Sequence, residues 1–275
     1  MKQIKFIISD IDGCIADFIK PEFPLKQDLS ENLSNLESIY KSIRQPAEKD
    51  FPSILFGVAT ARSFYQSDHI MEATGFQGPS IFEMGNVIFD PQVGVFNLFE
   101  FLDKFKKHKV VINEFLDWRR KMFVEKILEG KMNGILLKPM MDRTMMVTYE
   151  FENGLEQKIL TTLESLMPDT IRRAIQEKIL KVLVSKGAID ILPNINKGEA
   201  LDYLLKIKQI DKNQVFAVGD SLHSDYDLLE SAGIVGCPAN ADIELINYVK
   251  NRGGLISAQK STAGLIDLIS QLKNL

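Results

Sequence analysis

Two aspartates separated by a single residue stand near the start of the chain, in the segment FIISDIDGC. Asp10 and Asp12 directly follow an apolar run and precede Gly13. Side chains two residues apart point the same way when the backbone is extended, so both carboxylates can face one reacting centre. One acid can then serve as nucleophile and the other as proton carrier. Gly13 lets the loop backbone approach a phosphate group with its N–H groups exposed.

Polar residues follow two further apolar runs in the same way. The segment FGVATARS places Thr60 and Arg62 directly after one of them. The segment FAVGDSLHSD places Asp220, and after a short loop Asp225, behind the other. Between these two segments, Lys197 opens the helical pattern of NKGEAL.

These residues have the chemistry of a site for a phosphoryl group and a hard cation. In an open parallel sheet, ligands bind outside the carboxyl ends of the strands. Mg²⁺ prefers oxygen ligands and usually takes a few carboxylates plus water, which Asp10, Asp220 and Asp225 can supply. Thr60 offers a hydroxyl donor and Lys197 a positive charge. The sequence therefore predicts a magnesium and phosphate site at this edge of the sheet.

The elements that must position these residues alternate between strands and helices at both ends of the chain. Strands are predicted at residues 5–9 and in SILFGVAT, SIFEM, QVFAV and GIVGC. Unbroken apolar strands that alternate with helices indicate an α/β fold, a doubly wound parallel sheet covered on both faces. A helix is predicted over residues 29–43 because its apolar residues recur every three or four positions, namely Leu29, Leu33, Leu36, Tyr40 and Ile43.

The middle of the chain has a different pattern. Residues 99–186 combine long amphipathic helices with strands such as MMVTYEF, whose alternating polarity is typical of a sheet with one covered face. We therefore predict a catalytic core formed by residues 1–98 and 187–275, and an inserted α+β domain formed by residues 99–186.

The composition excludes several classes of function. The 275 residues contain 33 Lys and Arg against 37 Asp and Glu, a formal net charge of −4, which does not favour nucleic acid or an acidic membrane surface as partner. No apolar run approaches the roughly 18 residues that span a bilayer. The first residues lack the pattern of a secretory leader, and two cysteines do not form a disulfide framework, so we expect a cytoplasmic protein.

The four polar segments together resemble the haloacid dehalogenase superfamily. DIDGC is similar to the DxDGT nucleophile motif of that superfamily, TAR to its T-x-R motif, Lys197 to its third motif and GDSLHSD to its fourth, all in the family's order. The large insert must lie between the second and third motifs. That position resembles the type 2 cap arrangement of Cof-like and sugar-phosphate phosphatase-like members, on a Rossmann-like core.

The resemblance implies a role for each matching residue. Asp10 would attack phosphorus and form an aspartyl-phosphate. Asp12 would protonate the leaving oxygen and then activate water, while its backbone carbonyl binds Mg²⁺. The phosphate would be held by Gly13, Thr60, Arg62 and Lys197, although Arg62 is equally consistent with a structural pairing to an acid. The metal site would be completed by Asp220 and Asp225.

Two features depart from the family's usual motifs. Cys14 stands where the family usually has threonine. The fourth motif has four residues between its acids where many type 2 members have three, so Asp227 is an alternative to Asp225 as metal ligand.

The resemblance implies an enzyme, a Mg²⁺-dependent phosphatase that acts on a small phosphorylated metabolite such as a sugar phosphate. A phosphomutase that returns the phosphoryl group to a second hydroxyl is the alternative within enzymes. A non-catalytic sensor of a phosphorylated ligand is a third hypothesis, which the intact acid pair disfavours because a sensor has no need of a proton carrier. A domain large enough to close over the site favours a small substrate.

Overall fold

The computed structural model describes residues 4–16, 53–132, 134–185 and 187–272. The chain divides into two compact units, one formed by Met1–Phe96 with Asn196–Leu275 and the other by Asn97–Ile195. The helix predicted over residues 29–43 lies outside the described residues.

The described residues of the first unit form a parallel sheet of five strands. The strands are β1 (Phe6–Ser9), β2 (Leu55–Val58), β10 (Val215–Val218), β11 (Ile234–Cys237) and β12 (Leu255–Ile256). Their order across the sheet is β12, β11, β10, β1, β2, and every neighbouring pair is parallel. The central strands, FIIS and VFAV, are fully buried, as expected for strands covered on both faces.

Helices alternate with these strands along the chain. Two of them begin with capping boxes that satisfy their first N–H groups, Ser63 with Gln66 and Asn196 with Glu199. In the described part of this unit the helices are α1 (Phe64–Thr74), α6 (Lys197–Lys208), α7 (Leu222–Glu230), α8 (Ile243–Asn251) and α9 (Ser261–Gln271). The predicted α/β fold with flanking helices is confirmed.

A small second sheet follows α1. It consists of β3 (Ser80–Phe82), β4 (Val87–Asp90) and β5 (Gly94–Asn97), in that order. The turn that joins β4 to β5 contains Pro91, so the hairpin predicted in NVIFDPQVGVFNL is present.

The inserted unit is built on an antiparallel sheet. Its strands lie in the order β6 (Leu137–Pro139), β7 (Val147–Phe151), β9 (Ala188–Pro193), β8 (Leu180–Ser185). Its helices are α2 (Lys109–Val124), α3 (Ile127–Lys131), α4 (Glu156–Leu166) and α5 (Asp169–Gln176). The predicted α+β insertion is thus observed as an antiparallel sheet with helices.

The limits of the inserted unit differ from those predicted. The sequence interpretation assigned residues from 187 onward to the core, whereas β9 pairs with β7 and β8 and lies in the inserted unit. Within β7, Val147, Tyr149 and Phe151 form one buried face. Thr148 is buried as well, because its hydroxyl donates to the carboxylate of Asp190 on the neighbouring strand.

Among the described residues, no helix combines the length and the apolar character that crossing a bilayer requires.

Candidate active site

The ends of the two central parallel strands bring the first acids together. Ser9 at the end of β1 pairs with Val218 at the end of β10, and the N–H of Asp10 donates to the carbonyl of Val218 at 3.0 Å. Asp10 therefore leaves the sheet beside the loop that carries Asp220. This is the edge at which open α/β sheets bind their ligands.

Three carboxylates converge at this edge. One oxygen from each of Asp10, Asp220 and Asp225 lies within 4.8 Å of the others. Asp225 lies in the first turn of α7 and is fully buried, and its Oδ2 accepts the N–H groups of Asp220 at 3.0 Å and Ser221 at 3.2 Å. Asp227 is exposed, because residues of a helix are about 100° apart and two positions place it on the far side from Asp225.

Lys197 enters the cluster from the start of α6. Its Nζ donates to Oδ1 of Asp225 at 2.7 Å and lies 3.4 Å from Oδ1 of Asp10. Its side chain is 1% exposed, so both ion pairs are shielded from water. The helix reaches this position because Gly198 packs directly against α7, where a Cβ atom would lie 2.3 Å from the carbonyl oxygen of Asp227.

The cluster holds more acidic than basic groups. Burial raises the pKa of Asp10 well above its usual range, against the opposing charge of Lys197. Burial, followed by the charge of Asp225, raises the pKa of Asp220 to about 7. Burial acts to lower the pKa of Lys197, but the charges of Asp10 and Asp225 outweigh it and the pKa is raised. The cluster thus contains three carboxylates and the single positive charge of Lys197.

This donor set fits a magnesium ion. The three acids supply oxygen atoms only, as Mg²⁺ prefers, and those oxygens lie within 4.8 Å of one another, close enough to share one ion. A divalent cation bound there would also offset the excess negative charge of the buried carboxylates. The side chains of Asp10, Asp220 and Asp225 are therefore the candidate ligands.

Asp12 is held by Arg62. The guanidinium makes two hydrogen bonds to the carboxylate, Nε to Oδ2 at 2.9 Å and Nη2 to Oδ1 at 2.5 Å. The Asp12 side chain is 22% exposed, so it is more open to water than those of Asp10 and Asp225. The sequence allows Arg62 either to contact the phosphate or to pair with an acid. In this structure it pairs with Asp12, the predicted proton carrier.

Thr60 and Gly13 lie in the loops around these acids. Thr60 is fully buried and its Oγ1 accepts the N–H of Arg62 at 3.1 Å, while Ser63 is the residue that caps α1. The N–H of Gly13 donates to the carbonyl of Ala16 at 2.8 Å, so the exposed N–H expected from the sequence is absent at this residue. Glycine is required for another reason: its φ is +74°, and a Cβ atom would lie 2.0 Å from Oδ2 of Asp220.

Two polar residues of the site were missed by sequence reasoning. Asn240 and Asp242 lie in the loop after β11, and they contact the nucleophile turn and the Asp220 loop respectively. The signal was present, because the segment GIVGCPANAD places polar residues directly after an apolar strand, as in the other three segments.

Comparisons with known proteins identify the family of this chain. A family model described as haloacid dehalogenase-like hydrolase matches residues 7–269, which confirms the predicted family. A phosphoglycolate phosphatase from Methanothermobacter thermautotrophicus is 38% identical over 28% of this chain and 35% of its own. The 5-amino-6-(5-phospho-D-ribitylamino)uracil phosphatase YbjI from Escherichia coli is 29% identical over 40% of each chain. This chain thus matches less than half the length of these two curated relatives.

Solved structures share the fold over nearly the whole chain. A crystal structure from Thermoplasma acidophilum is 14% identical, covers 99% of this chain and 100% of that chain, and superposes with a TM-score of 0.63. The sucrose-phosphatase from Synechocystis sp. PCC6803, solved with sucrose and phosphate, is 17% identical and covers 98% of both chains with a TM-score of 0.58. At these identities the likeness establishes the fold.

Proposed function

The chain belongs to the family of haloacid dehalogenase-like hydrolases, and from that membership we propose that it is a phosphatase acting on a small phosphorylated metabolite. The observation that carries the proposal is the buried cluster of three carboxylates and one lysine at the carboxyl edge of the parallel sheet, with Asp12 beside it. The names of the two curated relatives support it, since both are phosphatases of small organic phosphates.

We assign the nucleophile to Asp10. A carboxylate oxygen of Asp10 attacks phosphorus, the bond from phosphorus to the leaving oxygen breaks, and an aspartyl-phosphate forms. The reaction needs the ionised carboxylate although burial opposes ionisation. Lys197, 3.4 Å away, offsets part of that opposition by favouring the negative charge.

We assign the proton transfers to Asp12. It donates a proton to the leaving oxygen in the first step. In the second step it removes a proton from the water that attacks the aspartyl-phosphate, and the bond between phosphorus and Asp10 breaks to release phosphate. The bidentate contact of Arg62 holds the carboxylate of Asp12 in one orientation. We therefore assign Arg62 to Asp12 rather than to the phosphate.

Binding of the phosphoryl group is proposed for Thr60 and Lys197. Thr60 supplies a hydroxyl and Lys197 a positive charge that is fixed by its contact with Asp225. The side chains of Asp10, Asp220 and Asp225 and the carbonyl of Asp12 would hold Mg²⁺, which when bound supplies positive charge that stabilises the transferring phosphoryl group. Gly13 contributes space for the Asp220 carboxylate.

Selection of the organic part of the substrate is proposed for the inserted unit, Asn97–Ile195. It lies in the chain between Arg62 and Lys197, the position of a type 2 cap, and the four motifs lie outside it. We propose a sugar phosphate as the substrate class. The sucrose-phosphatase with the same fold supports this class, because its bound ligands are a sugar and phosphate.

The test is phosphate release from p-nitrophenyl phosphate, followed by a panel of phosphorylated metabolites. We expect turnover with Mg²⁺ and suppression by Ca²⁺, because Ca²⁺ accepts more ligands at longer distances and can engage both oxygens of Asp10. Equal turnover in EDTA and in Mg²⁺ would contradict the metal assignment. A requirement for a sugar bisphosphate without net phosphate release would replace the phosphatase by a phosphomutase.

A further inference from the structure

The loop after β11 joins three parts of the first unit through one side chain. The amide nitrogen of Asn240 donates to the carbonyl of Gly13 at 2.8 Å. Its amide oxygen accepts the N–H of Ser261, the first residue of α9, at 2.6 Å. The first N–H groups of a helix have no acceptor within the helix, so this contact also satisfies a group that would otherwise be left over. Asn240 thus fixes the turn after Asp12 to the start of α9.

Two residues later, Asp242 makes an equivalent connection to the loop of the metal ligands. Its N–H donates to the carbonyl of Asp220 at 2.8 Å, and its Oδ2 accepts the N–H of Leu222 at 2.8 Å. Its Oδ1 accepts the N–H of Leu245 at 2.6 Å and caps α8. One short segment therefore holds the two loops that carry the reacting acids.

The two loops meet each other with almost no free space. A Cβ atom at Gly13 would lie 2.0 Å from Oδ2 of Asp220 and 3.2 Å from the amide nitrogen of Asn240. A displacement of either loop therefore changes the separation between the turn of Asp12 and the carboxylate of Asp220. A misplacement of about 1 Å in a catalytic site can lower a rate by about 10²-fold.

We propose that Asn240 and Asp242 are positioning residues for the phosphoryl-transfer site, and we refer to the two together as the brace. The brace sets the distance between the turn that carries Asp12 and the loop that carries Asp220. The inference rests on the proposed phosphatase function. It goes beyond that function because neither brace residue touches the phosphoryl group in the proposed mechanism.

The variant Asn240→Ala tests the connection to the nucleophile turn. We expect kcat with p-nitrophenyl phosphate to fall by about tenfold or more while KM changes by less than about threefold, because misalignment affects the transition state more than substrate binding. Ser257→Ala is the matched control. It removes hydrogen bonds to Asp267 and Gln259 in the same C-terminal region, none of which involves Gly13 or Asp220.

The control separates positioning from general stability. We expect Ser257→Ala to lower the thermal midpoint while kcat stays within about twofold of wild type. The proposed role of the brace is contradicted if Asn240→Ala keeps kcat within twofold of wild type, or if Ser257→Ala loses as much activity as Asn240→Ala. If the wild-type protein itself releases no phosphate with Mg²⁺, the proposed function fails and the brace fails with it.

The variant Asp242→Ser tests the second connection and remains informative if Asn240→Ala does not fold. Serine is a good helix N-cap, so the cap of α8 is retained while the reach to Leu222 is lost. We expect the rise in thermal midpoint caused by added Mg²⁺ to become smaller, because the loop of Asp220 is less well positioned to bind the ion. Glu244→Gln, which removes a nearby exposed charge without touching the brace, should keep the wild-type rise. Equal rises in all three proteins would overturn the role of Asp242.

Discussion

Both units hold carboxylates whose ionisation is opposed by burial, but the units compensate that effect differently. In the inserted unit, Asp190 lies in the middle of β9 and accepts the hydroxyl of Thr148 at 2.6 Å. Burial raises the pKa of Asp190, and the charge of Arg143 and the hydroxyl of Thr148 act against that rise. The cation and the hydroxyl both lie within the unit, and they act against burial and against the nearby charge of Glu150.

The acids of the first unit are not matched in this way. Lys197 contacts Asp10 and Asp225, Asp220 lies in the same cluster, and all three acids lie beyond the ends of strands rather than within them. Residues beyond strand ends can converge from separate parts of the chain, whereas a residue within a strand has neighbours that the register fixes. A cluster with excess negative charge is stabilised further when a cation binds, so the imbalance marks the site of chemistry. The balanced acid of the inserted unit is expected to be structural.

The sharpest test of this contrast is Asp10→Asn. We expect turnover with p-nitrophenyl phosphate to fall by about 10⁴-fold or more, because an amide oxygen is a poor nucleophile and a weak metal ligand. The measurement is phosphate release at saturating Mg²⁺, with the thermal midpoint as evidence that the variant is folded. Activity above about 1% of wild type would move the nucleophile to another residue.

Asp12→Asn should lower the rate by about 10²–10⁴-fold, because the nucleophile remains but the proton carrier is lost. A good leaving group such as p-nitrophenolate needs little protonation, so it should still transfer its phosphoryl group to Asp10. Hydrolysis of the aspartyl-phosphate still needs a base, so this intermediate should accumulate. Trapping with hydroxylamine or borohydride and mass spectrometry would locate it.

The location of the trapped label decides the division of roles. Label on Asp10 supports it, and label on Asp12 or wild-type turnover by Asp12→Asn contradicts it. Arg62→Gln is the companion variant, since it leaves the carboxylate of Asp12 in place and removes the contact that orients it. We expect a smaller loss of rate than in Asp12→Asn.

Most of the acid cluster could be predicted from the sequence, and the reason is physical. Apolar runs followed directly by polar residues indicate strand ends, and parallel strands bring their carboxyl ends to one edge. That argument predicts that Asp10, Asp220 and Asp225 lie together, as the structure shows. Their roles in the reaction stay predictions.

The contacts of the surrounding loops could not be predicted in the same way. The pairing of Arg62 with Asp12 and the hydrogen bond from Gly13 to Ala16 depend on loop conformations that leave no periodic pattern in the sequence. Nor does an apolar strand reveal which sheet it joins. The predicted core therefore includes residues 188–193, although their backbone pairs with the antiparallel sheet of the inserted unit.

A test of intermediate size compares Asp220→Asn with wild type in EDTA. The pKa of Asp220 rises from 3.8 to about 7 in the folded protein, so the folded state holds this proton more tightly than the unfolded chain does. The stability that this proton contributes is present below about pH 4 and is lost as the pH rises to about 7. In Asp220→Asn the side chain at this position is an amide, which does not ionise over this pH range. The variant's free energy of unfolding relative to wild type should therefore increase by about 1–2 kcal/mol between pH 4 and pH 8, a value reduced for the partial exposure of the group.

Urea denaturation at the two pH values measures this difference. Added Mg²⁺ at pH 8 should stabilise the wild type more than Asp220→Asn, because the wild-type carboxylate binds the ion and the amide binds it less well. A relative stability that is independent of pH would show that the charges of the cluster are balanced without a cation.

The smallest effect is expected for Asp190→Asn in the inserted unit. The amide keeps an oxygen that accepts the hydroxyl of Thr148, and it loses the attraction to Arg143 while avoiding the burial of a charge. These changes oppose each other, so the free energy of unfolding should change by about 1 kcal/mol or less at pH 7. Turnover of p-nitrophenyl phosphate should stay within about twofold of wild type, since the motifs of the reaction lie in the other unit.

Thr148→Val is the matched variant: it leaves the carboxylate of Asp190 without that donor and should destabilise the protein more than Asp190→Asn does. If Asp190→Asn instead lowered kcat tenfold in a folded protein, a balanced acid would be taking part in the reaction, and charge imbalance would no longer distinguish the two units.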